Sequence, residues 1–465
     1  MNTTVSPLRE SARTVQLSSF QPDELFFSIT DDKGVIAHAN SVFTRLSGYT
    51  FDKMKGQPHN IVRDPAMPRG AFRLIWEELQ AGRPVASYVA NLSSEDERYE
   101  VFAVMLPTEN GHISMRVRPE PGGMRDKIFE IFDRAREVEA TVDGGARQQA
   151  DAGAEFLRTE FAALGFADMR ALTRALLPRE VAATLEAVDE LEQTTSRVPL
   201  EILPGKIRML GRLLLNPLHS LERVEEISRG LHEQVTSGKV RSAAIPALAS
   251  IVKESTEAIA WGGTDQAGLG KELTEAAQEA LERLGGAGTE FKRAAEAAVS
   301  LHDMVETLEL NLGIFALQNQ MIGRFALELL GGEAAEPPGQ SMRLLHHALD
   351  THFQSMLDAI DAVNELAQSA PERFAAVLRH LDGLSRPLQA WGDLAAKALA
   401  AQGAEASPEL VAKVQAVRGA VHEGFAPSPE ILDYIDELKN VNVTVEDLPM
   451  RATIKFIGMV TAEIE

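Results

Sequence analysis

The sequence predicts an α+β domain, a five-stranded antiparallel sheet with helices, followed by an all-α helical bundle and coiled-coil region. Three observations lead there. Before residue 120, five short apolar or alternating runs are separated by turn residues, two of them before a helical stretch and three after it. From about Gly123 the apolar spacing changes from a period of two to a period near 3.6. Composition shifts with it: the richest aromatic stretch lies before residue 105, and the remainder is dominated by Ala, Leu and Glu.

Each element has its own reason. Leu25-Phe26-Phe27-Ser28-Ile29-Thr30 reads as a strand, Asp31-Asp32-Lys33-Gly34 as a turn, and Val35–Ala39 as the returning strand of a hairpin. Asn40-Ser41 offers an N-cap for a short helix through Phe43 and Leu46, ended by Gly48-Tyr49. Pro58, Pro65 and Pro68 punctuate the next stretch; an amphipathic helix from about Ala71 to Gln80 is stopped by Gly82 and Pro84. Ser87–Asn91, Arg98–Met105 and His112–Val117 complete the strands.

Beyond Gly123, Ile128, Ile131, Ala135 and Val138 form a helical stripe that continues out of the domain. Val181, Leu185, Val188 and Leu191 make another, as do Leu218, Leu221, Val224, Leu231 and Val235. The longest pattern runs from Phe291 through Ala298, Val305, Leu312, Asn319 and Ala326 to Leu329 in alternating steps of three and four. That is a heptad seam which calls for helical partners along its length. Gly331-Gly332, Pro337-Pro338, Gly403 and Pro408 break the helices, and Arg451–Val460 suits either strand or helix. The expected organisation is a polar flexible tail at 1–19, the sheet domain at 20–120, a helical region with the heptad helix at 121–330, and a C-terminal helical domain at 341–465.

Charge and composition narrow the function. Residues 1–120 carry 13 Lys and Arg against 15 Asp and Glu, whereas the rest carries 33 against 53. An acidic surface of that size repels phosphate backbones, which argues against nucleic-acid binding. With no cysteine in the chain, disulfides, thiolate metal sites and thiol nucleophiles are excluded, and a reducing, cytoplasmic setting is expected. No apolar run reaches the roughly 18 residues of a membrane span, and the polar start lacks a signal-peptide core.

Residues 36–80 carry a recognisable pattern. Ile36-Ala37-His38-Ala39-Asn40, Leu46-Ser47-Gly48-Tyr49-Thr50, the run Gly56-Gln57-Pro58-His59-Asn60-Ile61-Val62-Arg63-Asp64-Pro65-Ala66-Met67-Pro68, and Ala71-Phe72 with Trp76 closely resemble the PAS domain of aerotaxis receptors. The resemblance covers about residues 20–120 and is most specific from Gly56 to Trp76. It implies FAD held between sheet and helices, with the flavin redox state reporting oxygen or respiratory status. Asn40 matches an asparagine placed near the flavin, and Arg63 an arginine implicated in cofactor retention. Phe72 and Trp76 match pocket-lining aromatics one helical turn apart, and Asn91 an asparagine on the central strand. Such a ring needs flat apolar walls and a few polar groups at its edge. The sequence departs from the family where His-Pro-Asp-Met-Pro becomes Asp64-Pro65-Ala66-Met67-Pro68, and where a basic turn becomes Asn91-Leu92-Ser93-Ser94-Glu95-Asp96. A weaker resemblance, over Ile314–Ala326, is to the coiled-coil tip of chemotaxis receptors, with Gln318 and Ile322 standing where that tip has Asn and Glu.

Other motifs lead nowhere chemical. His346, His347 and His352 lack metal-ligand spacing on one helix face. Asn216–Leu221 is superficially like a kinase phosphoacceptor helix, but no Gly-rich nucleotide site follows it. Gly268-Leu269-Gly270-Lys271 is no P-loop, because Asp265 and Glu272 stand where Gly and Ser/Thr are required. No nucleophile constellation is found. The expectation is a non-catalytic cytoplasmic sensor of redox state, oxygen or a small ligand, acting through FAD on a helical output. That output is expected to be a homodimer, with chemotaxis kinase, coupling proteins or chemoreceptors as partners. The alternative is a non-sensing scaffold that dimerises and binds partner proteins.

Overall fold

The computed structural model describes residues 20–21, 24–120, 122–186, 198–236, 244–260, 267–334, 338–402, 406–425 and 429–464. Val188 and Leu191 of the expected stripes, and the tail at 1–19, lie outside them.

Turn chemistry sets the first hairpin. β1 (Leu25–Thr30) and β2 (Ile36–Ala39) pair antiparallel. Between them Asp31 Oδ1 accepts hydrogen bonds from Lys33 N at 2.9 Å and Val35 N at 2.8 Å. Gly34 takes φ +77°, and a Cβ there would stand 3.1 Å from the Trp76 ring. Two short helices, α1 (Ser41–Ser47) and α2 (Phe51–Met54), a 3-10 turn at His59–Val62, and α3 (Arg69–Gln80) then cross one face of the sheet. β3 (Val85–Leu92), β4 (Arg98–Thr108) and β5 (Gly111–Val117) return as a meander. The order is β2-β1-β5-β4-β3 with every neighbour antiparallel, so the five expected strands and their sheet are present.

Antiparallel sheets commonly leave one face to water. This one does not. β1 is buried at all six positions and β3 at seven of eight. Alternation sends Ser28, Val89, Ala103 and Ser114 to the inner face, toward α1–α3. It sends Phe27, Tyr88 and Phe102 to the outer face. Helices of the same unit cover that outer face: α4 (Gly123–Thr141) places Phe129 against Tyr88 at 6.3 Å between centroids, and α6 (Met169–Glu186) bonds through Thr173 to the Ala86 amide. Phe325 of α10 (Ala267–Leu330) meets Phe27 edge-on, with ring centroids 5.2 Å apart.

The described residues form two compact units. The first contains the described parts of Met1–Leu218, Thr307–Asp358 and Thr444–Glu465; the second contains those of His219–Glu306 and Ala359–Val443. The first unit thus holds the sheet together with helices from later in the chain. The reason is the doubly buried sheet, whose outer face needs apolar cover from helices far along the chain. The stripe Ile128, Ile131 and Ala135 is buried as its period requires, but α4 does not project from the domain. It folds back with α5 (Ala146–Ala163) onto α3. In the same unit α7 (Pro199–Leu213) and the first part of α11 (Pro338–Asp382) bond to the end of α10, and α15 (Asp447–Glu463) packs on both of them. Arg451–Val460 is thus helical.

The second unit is all-helical. It holds α8 (Leu215–Thr236) from His219, α9 (Ala244–Ala260), α12 (Ser385–Gln402), α13 (Pro408–Glu423) and α14 (Pro429–Leu438), with residues 267–306 of α10 and 359–382 of α11. Trp391 is fully buried there, and its indole N–H donates to Thr256 Oγ1 at 2.8 Å. At Gly230 a Cβ would lie 2.5 Å from the Tyr434 ring, so the absent side chain lets α8 and α14 close up. The heptad seam is one continuous helix, buried at Ala294, Ala298, Leu301, Val305, Leu308, Leu312, Phe315, Asn319, Ile322 and Ala326.

Candidate functional site

Between the inner face of the sheet and α3 lies a cavity of about 280 Å³. Its apolar walls include Phe72, Ile75, Trp76 and Leu79 from α3, with Val89, Ala103 and Met105 from β3 and β4. Polar groups enter from β5, whose alternate residues His112, Ser114 and Arg116 all face it, and from the 3-10 turn, which supplies His59. A concave apolar site with a few convergent polar groups is the usual form of a small-molecule pocket.

Arg116 is the unusual member. It is 4% exposed, yet no carboxylate among the described residues pairs with it. Its guanidinium donates to Ser28 Oγ at 3.1 Å, to His59 Nε2 at 2.8 Å and, weakly, to Ser114 O at 3.4 Å. It lies against the rings of Phe26 and Phe43, 5.4 and 5.3 Å from their centroids. Burial pushes its pKa down to about 10. Burial and, secondly, the Arg116 charge hold the His59 imidazole well below its usual range. A neutral imidazole follows, accepting at Nε2 from Arg116; the Ser28 hydroxyl, 3.1 Å away, completes the chain of hydrogen bonds.

Other polar atoms facing the cavity have no partner at all. Asn91 Nδ2, Ser114 Oγ and His112 Nδ1 are buried and make no hydrogen bond among the described residues. Leaving a donor or acceptor unsatisfied costs about 1–3 kcal/mol each. Three of them around one hollow, beside a buried cation, mark a place where a ligand completes the structure.

The structure gathers four of the five residues singled out from the sequence around this cavity. Arg63 stacks its guanidinium on the Phe72 ring at 4.0 Å and donates to Met67 O at 3.2 Å. Its pKa is lowered by burial first, then by Arg69. Trp76 stands edge-on to His112, with centroids 5.2 Å apart. Asn91 is on β3 beside the Arg63 bridge. Asn40 is elsewhere. It occupies the N-cap position of α1 but makes no cap bond; instead Oδ1 accepts from Phe27 N at 3.1 Å, and Nδ2 donates to Leu25 O at 3.2 Å and to Glu328 Oε1 at 2.6 Å. Glu328 Oε2 accepts from Ser41 N at 2.9 Å. Asn40 thus joins β1 to α10. His59, His112, Ser114 and Arg116 were missed, although polar residues at every second position of a strand signal a polar inner face.

With that geometry in view, the comparisons with known proteins are specific for one segment. The chain is 37% identical over 110 residues to the aerotaxis receptor of Escherichia coli, an alignment covering 23% of this chain and 22% of the receptor. The chain begins with an aerotaxis-receptor-like PAS domain. Because the alignment spans about a fifth of the receptor, it speaks for the PAS domain and not for the helices. No family model matches the chain. Among solved structures, a Rhodobacter sphaeroides LOV protein is 19% identical with a TM-score of 0.20, covering 31% of this chain and 93% of its own. A blue-light activated histidine kinase of Erythrobacter litoralis is 16% identical with a TM-score of 0.22, covering 41% of this chain and 69% of its own. Likenesses that remote carry no functional weight.

The residues around the PAS cavity fit a flavin ring system. Its carbonyl and nitrogen edge would meet donors left unpaired here, Asn91 Nδ2 above all, and its flat faces would meet Trp76 and the apolar strand residues. The receptor-tip resemblance fares differently. Ile314–Gly323 lies inside α10 and is buried: Gln318 Nε2 meets His352 Nδ1 at 3.1 Å, and Asn319 Nδ2 donates to Ile207 O at 2.9 Å. That segment offers no exposed tip in this unit. Among the described residues no helix is long and apolar enough to cross a membrane, and no cluster of three His, Asp or Glu could hold a metal ion.

Proposed function

We propose that this chain is a non-catalytic sensor whose PAS cavity takes a flavin, in the form of FAD, and whose helical regions carry the flavin state onward. The observation that carries this reading is Arg116: a buried guanidinium without a carboxylate, beside unpaired Asn91 and Ser114, in a hollow walled by aromatic and aliphatic side chains. A bound flavin would supply a redox couple that equilibrates with oxygen or respiratory carriers. The protein's part is to hold and to read it. Arg116 and Asn91 would face the polar edge of the ring, and Phe72 and Trp76 would flank it. Lys33 and Arg63, toward the exposed end of the cavity, would meet the phosphates. Neutral His59 keeps the Arg116 charge uncompensated, so a ring that gains negative charge on reduction is held more tightly than an oxidised one.

The signal then passes to helices packed on the same unit, by a change between two packings. Self-association, and contact with chemotaxis kinase, coupling proteins or chemoreceptors, belong to this proposal through the PAS resemblance alone. The test is the visible absorbance of the purified full chain, before and after reconstitution with FAD. Bound flavin in the native protein, lost in Arg116→Met, is the expected outcome. A protein that takes up no flavin under either condition sinks the flavin reading and leaves the scaffold alternative.

A further inference from the structure

α3 has two working faces. Phe72, Ile75, Trp76 and Leu79 line the cavity. At 3.6 residues per turn, Gly70, Arg73 and Glu77 fall on the opposite side, where α3 meets α5. The approach is tight: a Cβ on Gly70 would lie 2.3 Å from Ala154 N. Gly153 is bare for a second reason, since a Cβ there would lie 2.1 Å from Glu139 Oε1. Through that gap Glu139, buried near the end of α4, reaches the start of α3. Its carboxylate accepts from Gly70 N at 2.7 Å and Arg69 N at 2.9 Å. Pro68, at the N-cap, has no side-chain acceptor of its own, so the carboxylate from α4 caps α3. Glu77 closes the other end of the seam, pairing with Arg158 of α5 at 2.6 Å.

We infer that Glu139 is a positioning residue that ties the α4–α5 hairpin to the cavity through α3, so that the state of the cavity sets how firmly the hairpin is held. The ligand's identity rests on the flavin reading; the coupling does not. A helix is stiff along its length, and a ligand that presses on Phe72 and Trp76 moves Gly70 and Glu77 with them. The backbones at Gly70 and Gly153–Ala154 leave no slack, so α5 must follow or the Glu139 cap must open. Coupling of this kind is reciprocal: by whatever factor the ligand tightens or loosens the hairpin, tightening or loosening the hairpin strengthens ligand binding by the same factor.

Hydrogen–deuterium exchange on the full chain tests it, with and without FAD, in the native protein and in Ala103→Leu and Glu139→Gln. Ala103 lies on β4, across the cavity from α3, and the larger side chain fills part of the hollow without touching the hairpin; Ala103→Val serves if Leu is not tolerated. FAD, or the filled cavity alone, is expected to change exchange in α4 and α5 by about threefold or more, while α13 of the second unit is unaffected. Glu139→Gln, which exchanges a charge-assisted acceptor pair for one amide oxygen, is expected to speed exchange in α4 and α5 about tenfold and to abolish their response to Ala103→Leu. Exchange that changes in α3 but not in α4 and α5, or that rises evenly over the whole chain in Glu139→Gln, overturns the proposal. A protein that binds no FAD but whose α4 and α5 respond to the filled cavity overturns only the flavin reading.

Discussion

The two faces of the PAS sheet are built from the same strands and treated oppositely. On the outer face several buried polar groups have partners supplied by helices. Asn40 meets Glu328, the Ala86 amide meets Thr173, and the Tyr88 hydroxyl donates to Glu180 Oε1 at 2.7 Å. Burial and then Glu180 itself push the Tyr88 hydroxyl well above its usual range, so it stays a proton donor. On the inner face Asn91, Ser114 and His112 hold unpaired atoms, and no carboxylate among the described residues pairs with Arg116. Helices of the chain meet the outer face, whereas the inner face keeps unpaired polar atoms around a cavity. Polar groups left incomplete in an otherwise well-packed unit are a better guide to function than the aromatic walls, which a core would contain anyway.

The largest expected effect is on the outer face. Phe27→Ala removes a ring buried against Phe325 and should cost about 3–5 kcal/mol in denaturant unfolding of the first unit. A loss below about 1 kcal/mol would mean that α10 does not cover the sheet as described.

On the inner face the comparison predicts opposite signs for stability and binding. Arg116→Met removes an uncompensated buried charge, so the ligand-free protein should unfold at an equal or higher temperature. Flavin retention should nonetheless fall about 10- to 100-fold, as expected for loss of a charge-assisted contact. Destabilisation together with unchanged flavin binding would reverse the assignment of the two faces.

Glu328→Ala sharpens the role given to Asn40. The Ser41 amide would lose its side-chain acceptor and Asn40 Nδ2 one of its two, at about 1–3 kcal/mol. Because Asn40 does not line the cavity, flavin affinity measured on the folded protein should change far less than with Arg116→Met.

The smallest effect is the pH dependence carried by His59. Its pKa in the folded protein lies below the unfolded value of 6.5. The unfolded chain therefore binds the extra proton first, and stability falls as the pH drops below that value and is flat above it. The slope cannot exceed about 1.4 kcal/mol per pH unit for one group. His59→Asn should remove that part of the acid slope in unfolding titrations between neutral and mildly acidic pH.

Much of the fold was legible because it follows from local rules. The five strands, the turn at Asp31–Gly34 and the helix ending at Gln80 come from alternation, turn chemistry and proline placement, which depend on neighbours in the chain. The resemblance over about residues 20–120 pointed to Asn40 and to Arg63, Phe72, Trp76 and Asn91, of which the last four share one cavity. Asn40 was legible as a helix start but not as a link to Glu328, a partner 288 residues away. Arg116 was in plain sight at an inward position of β5, yet an arginine on a strand signals nothing until its lack of a carboxylate can be seen.

The sequence by itself determined that a small sheet domain with a PAS pattern heads an acidic, helix-rich chain without cysteine. Only the tertiary structure decided that α4 turns back onto α3 instead of leading away, and that residues 307–358 and 444–465 pack in the same unit as the sheet. The physical reason is the same in both cases. Periodicity shows which face of an element is apolar, but the partner that buries it is chosen by long-range packing, and here the outer face of the sheet needed more cover than its own neighbours could give.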